Sequence, residues 1–131
     1  MELGLNDKVV LITGGARGIG AAAVRAFISE KCNVVFVDQD SESGSELAKS
    51  SGHNGMFIEA KLNTPDSCRQ AVEKTVSFFG GIDVLVNNAG FNDGLGLETP
   101  PEEFISSVLT NLLHVYAMTH YSLPQLRKSQ G

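Results

Sequence analysis

Four short, nearly continuous apolar runs punctuate this chain, and the stretches between them have helical rather than strand character. The runs at residues 8–13, 33–38, 55–60 and 82–87 are rich in Val, Ile, Leu and Phe, as strands of a parallel sheet buried on both faces must be. Residues 18–29, 41–51 and 65–79 read as helices, with Ser41 capping the second, and Thr64 capping the third ahead of Pro65. A longer helix is expected over residues 101–128, capped by Thr99 and kinked or ended at Pro124. Strand and helix in alternation predict an α/β fold. Right-handed crossovers make it a doubly wound parallel sheet with helices on both faces, in strand order 3-2-1-4.

The first turn from strand to helix is "TGGARGIG", residues 13–20, with four glycines in eight residues. In a doubly wound sheet the ligand sits beyond the carboxyl ends of the strands, where strand order reverses. Gly14 lets the chain turn tightly, Gly18 lets backbone approach a pyrophosphate, and Gly20 lets the helix pack against the strand. The helix N-terminus offers free N–H groups and positive dipole to phosphates. This is the logic of a Rossmann-type dinucleotide site, although G-x-x-x-G-x-G is one residue longer than G-x-G-x-x-G. The second strand ends "VVFVDQD". Asp38 follows the glycine turn at close to the ~20-residue interval at which an acid meets the adenosine ribose. A carboxylate there accepts from ribose hydroxyls and repels a 2′-phosphate, so NAD is favoured over NADP. Asp38 as a solvated strand end is the bland alternative, since Asp40 and Ser41 also offer caps. Arg17 offers a guanidinium to a 2′-phosphate, to the pyrophosphate, or to solvent.

Composition narrows the remaining classes. With 131 residues and 42% hydrophobic content, the expectation is one dinucleotide-binding domain over residues 1–131, without repeats or linkers. The net charge of −5, with ten scattered Lys and Arg, argues against nucleic acid. No apolar run approaches the ~20 residues of a membrane span, and "MELGLNDK" lacks the basic and apolar parts of a signal peptide. A cytoplasmic protein is expected. Cys32 and Cys68 have no metal-ligand spacing and read as inert packing residues; no metal is expected.

The motifs "TGGARGIG", "VVFVDQD", "GGIDVLVNNAG" and "TNLLHVYAMTHYSLPQL", in that order, resemble the short-chain dehydrogenase/reductase family across essentially the whole chain. The resemblance implies hydride transfer between NAD(P) and an alcohol or carbonyl. It places Gly14, Gly18, Ile19 and Gly20 at the phosphates, Arg17 and Asp38 on the adenosine side, and Leu62 at the adenine. It gives Asn88, Ala89 and Gly90 the cofactor-facing turn, and Asn87 a sheet-stabilising role. Asn111 matches the helix Asn whose main-chain carbonyl holds a water in the proton relay; a polar amide among Leu109, Leu112 and Leu113 is costly unless bonded.

Two departures stand out. Lys61 occupies the position of the usual Asp at the adenine amino group, where it alters adenine binding or simply faces solvent. The family's catalytic Ser and Tyr-x-x-x-Lys are not among these residues, so the sheet is read as truncated after the fourth strand and the following helix, and the 131-residue chain as inactive. Tyr116 and Tyr121 have no Lys four residues on and read as packing residues, His114 and His120 as surface or interface residues. The stretch "NNAGFNDGLGLE" is similar to the branch containing L-fucose and related sugar dehydrogenases. Asn92 and Asp93 there either bond sugar hydroxyls or make an ordinary turn. A small hydroxylated substrate is expected, with a homo-oligomer formed through the long helix, whose Phe104, Val108 and Leu112 would otherwise lie bare. A non-catalytic dinucleotide-binding fragment is the competing reading.

Overall fold

The computed structural model describes residues 3–131. Its elements are β1 (Val9–Thr13), α1 (Gly18–Ser29), β2 (Asn33–Asp38), α2 (Ser41–Ser51), β3 (Gly55–Glu59), α3 (Pro65–Phe79), β4 (Val84–Val86), α4 (Pro101–Asn111) and α5 (Leu113–Ser129). All strands run parallel in one sheet of order β3-β2-β1-β4, as the alternation of elements predicts.

Successive strand residues point to opposite faces, and both faces are covered. Val10 and Ile12 of β1 and Val34 and Phe36 of β2 pack on one side with Ala21 and Val24 of α1 and Leu47 of α2. Leu11, Val35 and Val37 pack on the other with Cys68, Ala71 and Val72 of α3 and Ala117 and Met118 of α5. The two central strands are thereby sealed on both sides, which is why neither alternates with polar residues. Phe36 also stacks on Phe57 of β3, with ring centroids 5.4 Å apart.

Helix ends follow local hydrogen bonding, and three differ from the sequence expectation. Thr64 does cap α3: its Oγ1 accepts the Ser67 N–H at 3.1 Å while Ser67 Oγ accepts the Thr64 N–H at 3.3 Å. The cap of α2 is Asp40, not Ser41, because its carboxylate reaches the Ser43 N–H at 3.0 Å and carries a charge that suits the helix dipole. Thr99 does not cap α4. Its Oγ1 accepts the Gly96 N–H at 3.1 Å, and Pro100 takes the N-cap position. The single helix expected over residues 101–128 is two helices, broken at Leu112, where the Val115 N–H turns to the Leu112 carbonyl at 3.1 Å. Pro124 lies inside α5 without ending it.

β2 fills its apolar run, but β1, β3 and β4 are shorter than theirs. β4 spans only Val84–Val86, because side chains do the bonding at its margins: Asp83 Oδ2 accepts the Val9 N–H at 2.7 Å, and Asn88 turns to β1. Helix α4 buries none of its residues, and Phe104, Val108 and Leu112 are exposed, as expected. Replacing Phe36 with Ala should cost about 3–5 kcal/mol in urea unfolding, and Phe104→Ser less than about 0.5 kcal/mol. Equal costs would contradict this assignment of the core.

Candidate functional site: a crevice at the carboxyl ends of the strands

A cavity of about 1080 Å³ opens where the segments following all four strands meet. That is just above the ~300–1,000 Å³ typical of small-molecule sites. Its floor is tied by Thr13, the last residue of β1, which is fully buried. Thr13 Oγ1 accepts the N–H groups of Asn88 at 3.1 Å and Ala89 at 3.0 Å. In return, Asn88 Nδ2 donates to the carbonyls of Thr13 at 3.1 Å and Gly14 at 3.0 Å. The end of β4 and the glycine turn after β1 are thus one hydrogen-bonded unit.

That unit leaves no room for side chains. Gly14 has φ +66, and a Cβ there would stand 2.8 Å from the Ala89 Cα. A Cβ on Gly20 would collide with the Gly14 carbonyl and the Asn88 amide. Gly20 therefore packs the helix against the loop and Asn88, rather than against the strand as its spacing suggested. Gly18 is the opposite case. At φ +56, no atom lies within 4 Å of where its Cβ would be, so backbone there is open to a ligand.

The start of α1 is suited to an anion. The first backbone bond into the helix is Ala21 N–H to Arg17 O at 3.2 Å, so the N–H groups of Gly18, Ile19 and Gly20 have no partner within the helix. No side chain caps them and no acid sits in the first turn, whereas α2 and α3 are both side-chain capped. Ile19 is 83% exposed on the cavity wall. A pyrophosphate fits this cradle by charge, dipole and space.

Asp38, Arg17 and Leu62 lie to one side of the cradle. Asp38 Oδ2 accepts the Ala16 N–H at 3.1 Å, so the acid at the end of β2 touches the glycine loop directly. The Ala60 N–H bonds the Asp38 carbonyl at 3.0 Å, bringing residues 60–62 alongside. Leu62 packs on the core from this segment, while Lys61 is exposed and lines the cavity. Arg17 Nε pairs with Asp40 Oδ2 at 3.0 Å. The Ser43 backbone N–H and hydroxyl, with Arg17 adding to them, hold the Asp40 carboxyl below its ordinary value.

On the other side stand Asn88, Ala89, Gly90 and Asn111. Asn111 ends α4, and its Oδ1 accepts the Phe91 N–H at 2.7 Å, which answers the cost of an amide among leucines. The Val115 N–H, which an unbroken helix would aim at the Asn111 carbonyl, goes to Leu112 instead. Asn87 leaves the sheet, donating to Thr119 Oγ1 at 3.1 Å. Two sequence expectations fail here. His114 is no surface residue: it is 3% exposed, lines the cavity, and is pushed down in pKa by burial. Tyr116, read as packing, is 72% exposed because α5 turns it away from the sheet. Thr13, Asp40 and His114 are the site residues that sequence reasoning missed. A lone Thr closing an apolar strand was the available signal for the first.

A doubly wound sheet with an uncapped glycine turn and an acid converging at its switch point defines a Rossmann-type domain. The family model for short chain dehydrogenase matches residues 8–131, and the chain belongs to that family. L-fucose dehydrogenase of Rattus norvegicus is 40% identical over 128 residues, which cover 96% of this chain and 47% of that protein. The 3-ketoacyl-(acyl-carrier-protein) reductase from Brucella melitensis, solved with NADH, superposes with a TM-score of 0.87 at 34% identity, covering 95% of this chain and 52% of that one. L-sorbose reductase from Gluconobacter frateurii, solved with NADPH and L-sorbose, gives 0.91 at 28% identity, covering 98% and 51%. The chain spans about half the length of the curated relatives it matches. No helix among the described residues is long and apolar enough to cross a membrane.

Replacing Asn88 with Ala leaves two part-buried carbonyls, of Thr13 and Gly14, without their side-chain donor. It should cost about 1–3 kcal/mol and accelerate amide exchange at Ala16, whose N–H depends on the loop's position against Asp38. Unchanged exchange would show that the Thr13–Asn88 unit does not hold the loop.

Proposed function

We propose that this chain forms the cofactor-binding part of an NAD-dependent oxidoreductase that moves a hydride between nicotinamide and an alcohol or carbonyl group. The observation that carries the reading is the contact between Asp38 and the glycine loop, which sets a ribose-binding carboxylate beside a phosphate cradle. The bound dinucleotide supplies the hydride acceptor or donor. Gly14, Gly18, Ile19 and Gly20 hold its phosphates, Asp38 and Leu62 its adenosine, and Asn88, Ala89 and Gly90 border its nicotinamide half. The Asn111 carbonyl, relieved of its helical partner, is available to hold a proton-relay water.

The substrate is a small polyhydroxylated compound such as L-fucose, a reading supported by the L-fucose dehydrogenase relative. Tyr116 and Tyr121 have no Lys four residues on, and a Tyr of pKa ~10 needs a nearby cation to exchange protons at neutral pH. The 131 residues alone therefore bind dinucleotide without turning over alcohol, which is the ground for the second reading of a non-catalytic binding fragment. The exposed apolar face of α4, with Phe104, Ile105 and Leu109, makes a second copy of this chain the expected partner.

NAD should bind about tenfold or more tightly than NADP, since a 2′-phosphate would sit against the Asp38 carboxylate in a partly desolvated site. Calorimetric titration of both cofactors checks this, and Asp38→Ala should erase most of the difference. Tighter binding of NADP by the unaltered chain would show that Arg17, not Asp38, governs the choice.

A further inference from the structure

The adenosine side of the crevice contains a contact that its cofactor-binding residues do not require. Arg17, at the N-cap position of α1, has its side chain 76% accessible, yet its Nε is engaged by Asp40. Asp40 is not free to leave. Its Oδ1 accepts the Ser43 N–H at 3.0 Å and its Oδ2 accepts the Ser43 hydroxyl at 3.0 Å, and together these cap α2. The backbone N–H of Asp40 is in turn held by Asp38 Oδ1 at 3.0 Å. Two carboxylates and one guanidinium are therefore locked at fixed spacing beside the ribose position.

We propose that Asp40 is a specificity-determining residue for the cofactor: by holding Arg17, it denies a 2′-phosphate the one guanidinium in reach of that ribose. This rests on the reading that Asp38 binds the adenosine ribose, and it adds a second, separable layer to it. Asp38 opposes the phosphate directly. Asp40 does so by pairing with the Nε edge of the guanidinium and so competing with the phosphate for it, since an unpaired Arg is the side chain best matched to a phosphate. The pair is too exposed to matter much for stability. Its consequence is in what Arg17 is left able to bind. Lys61, the other basic side chain on this part of the wall, is compact and unpaired to either acid, so a phosphate response carried by Arg17 is distinguishable from one carried by Lys61.

Asp40→Asn is the informative variant, because Asn caps helices as well as Asp and removes only the charge. Probes are ADP-ribose and 2′-phospho-ADP-ribose, titrated calorimetrically at low ionic strength against the unaltered chain, D40N and R17A/D40N, with a thermal melt of each. D40N should bind 2′-phospho-ADP-ribose about tenfold more tightly than the unaltered chain does, a gain typical of a freed charge-assisted contact. ADP-ribose should change by less than about twofold, because its adenosine ribose carries no 2′-phosphate for a freed guanidinium to engage. The gain should vanish in R17A/D40N, and shrink at 1 M salt, where screening acts over ~3 Å. No gain in D40N, or a gain that survives removal of Arg17, overturns the assignment; the latter points to Lys61. If instead the unaltered chain prefers 2′-phospho-ADP-ribose, the Asp38 reading fails, whatever D40N does. Failure of both probes to bind would refute the ribose site and the inference with it.

Discussion

Thr13 closes the central strand with a hydroxyl that solvent cannot reach. Left unbonded, such a group would cost about 1–3 kcal/mol; here it receives two backbone N–H groups from the segment after β4. The Asn88 amide completes the exchange by bonding the carbonyls at the start of the glycine turn. Everything at the mouth of the crevice follows from this tie. It sets how closely the turn approaches Ala89, why Gly14 and Gly20 cannot carry side chains, and which way the first turn of α1 faces. β1 also pairs on one side with β2, which ends at Asp38, and on the other with β4, which leads into Asn88. The junction thus couples sheet registry to the position of the phosphate cradle.

The two sides of the crevice are built differently. On the Asp38 side, charges are fixed by short local bonds: Asp38 to Ala16 and Asp40, and Asp40 to Ser43 and Arg17. On the other side Asn88 and Ala89 are tied to Thr13 and Asn111 holds the Phe91 N–H, but these bonds fix backbone rather than charge, and the neighbouring apolar surface of α4 is bare. The first side is organised before any ligand arrives, so little ordering cost attaches to binding there. This asymmetry suits a site that grips the adenosine diphosphate half firmly and leaves the reacting half to be completed by further contacts.

Sequence reasoning recovered the parts of this arrangement that depend on periodicity and on backbone chemistry. Continuous runs such as "VVLIT" and "NVVFVD" can hardly be anything but doubly buried strands, and their alternation with helices dictates the sheet order. Thr64 with Pro65 declared its helix start, and the glycine turn and Asp38 lie together as their spacing implied. What escaped depends on tertiary partners. The break at Leu112 is not written in "TNLLHVYAM", a good helical sequence; it accompanies Asn111 binding the loop at Phe91, far away in the chain. His114, two residues past that break, is buried in the first turn of α5. Asp40 outcompeted Ser41 as a cap because Ser43 offered it two donors and Arg17 a charge.

The claim that the Thr13–Asn88 junction shapes a dinucleotide site is tested most directly by following backbone amide chemical shifts as NADH is titrated into the isotopically labelled chain. The structure predicts that the largest changes fall on Gly14, Gly18, Ile19 and Gly20, with Asp38, Leu62 and Asn88–Gly90 moving at the same ligand concentration. Shifts confined to the exposed face of α4, or absent from the glycine turn at saturation, would contradict it.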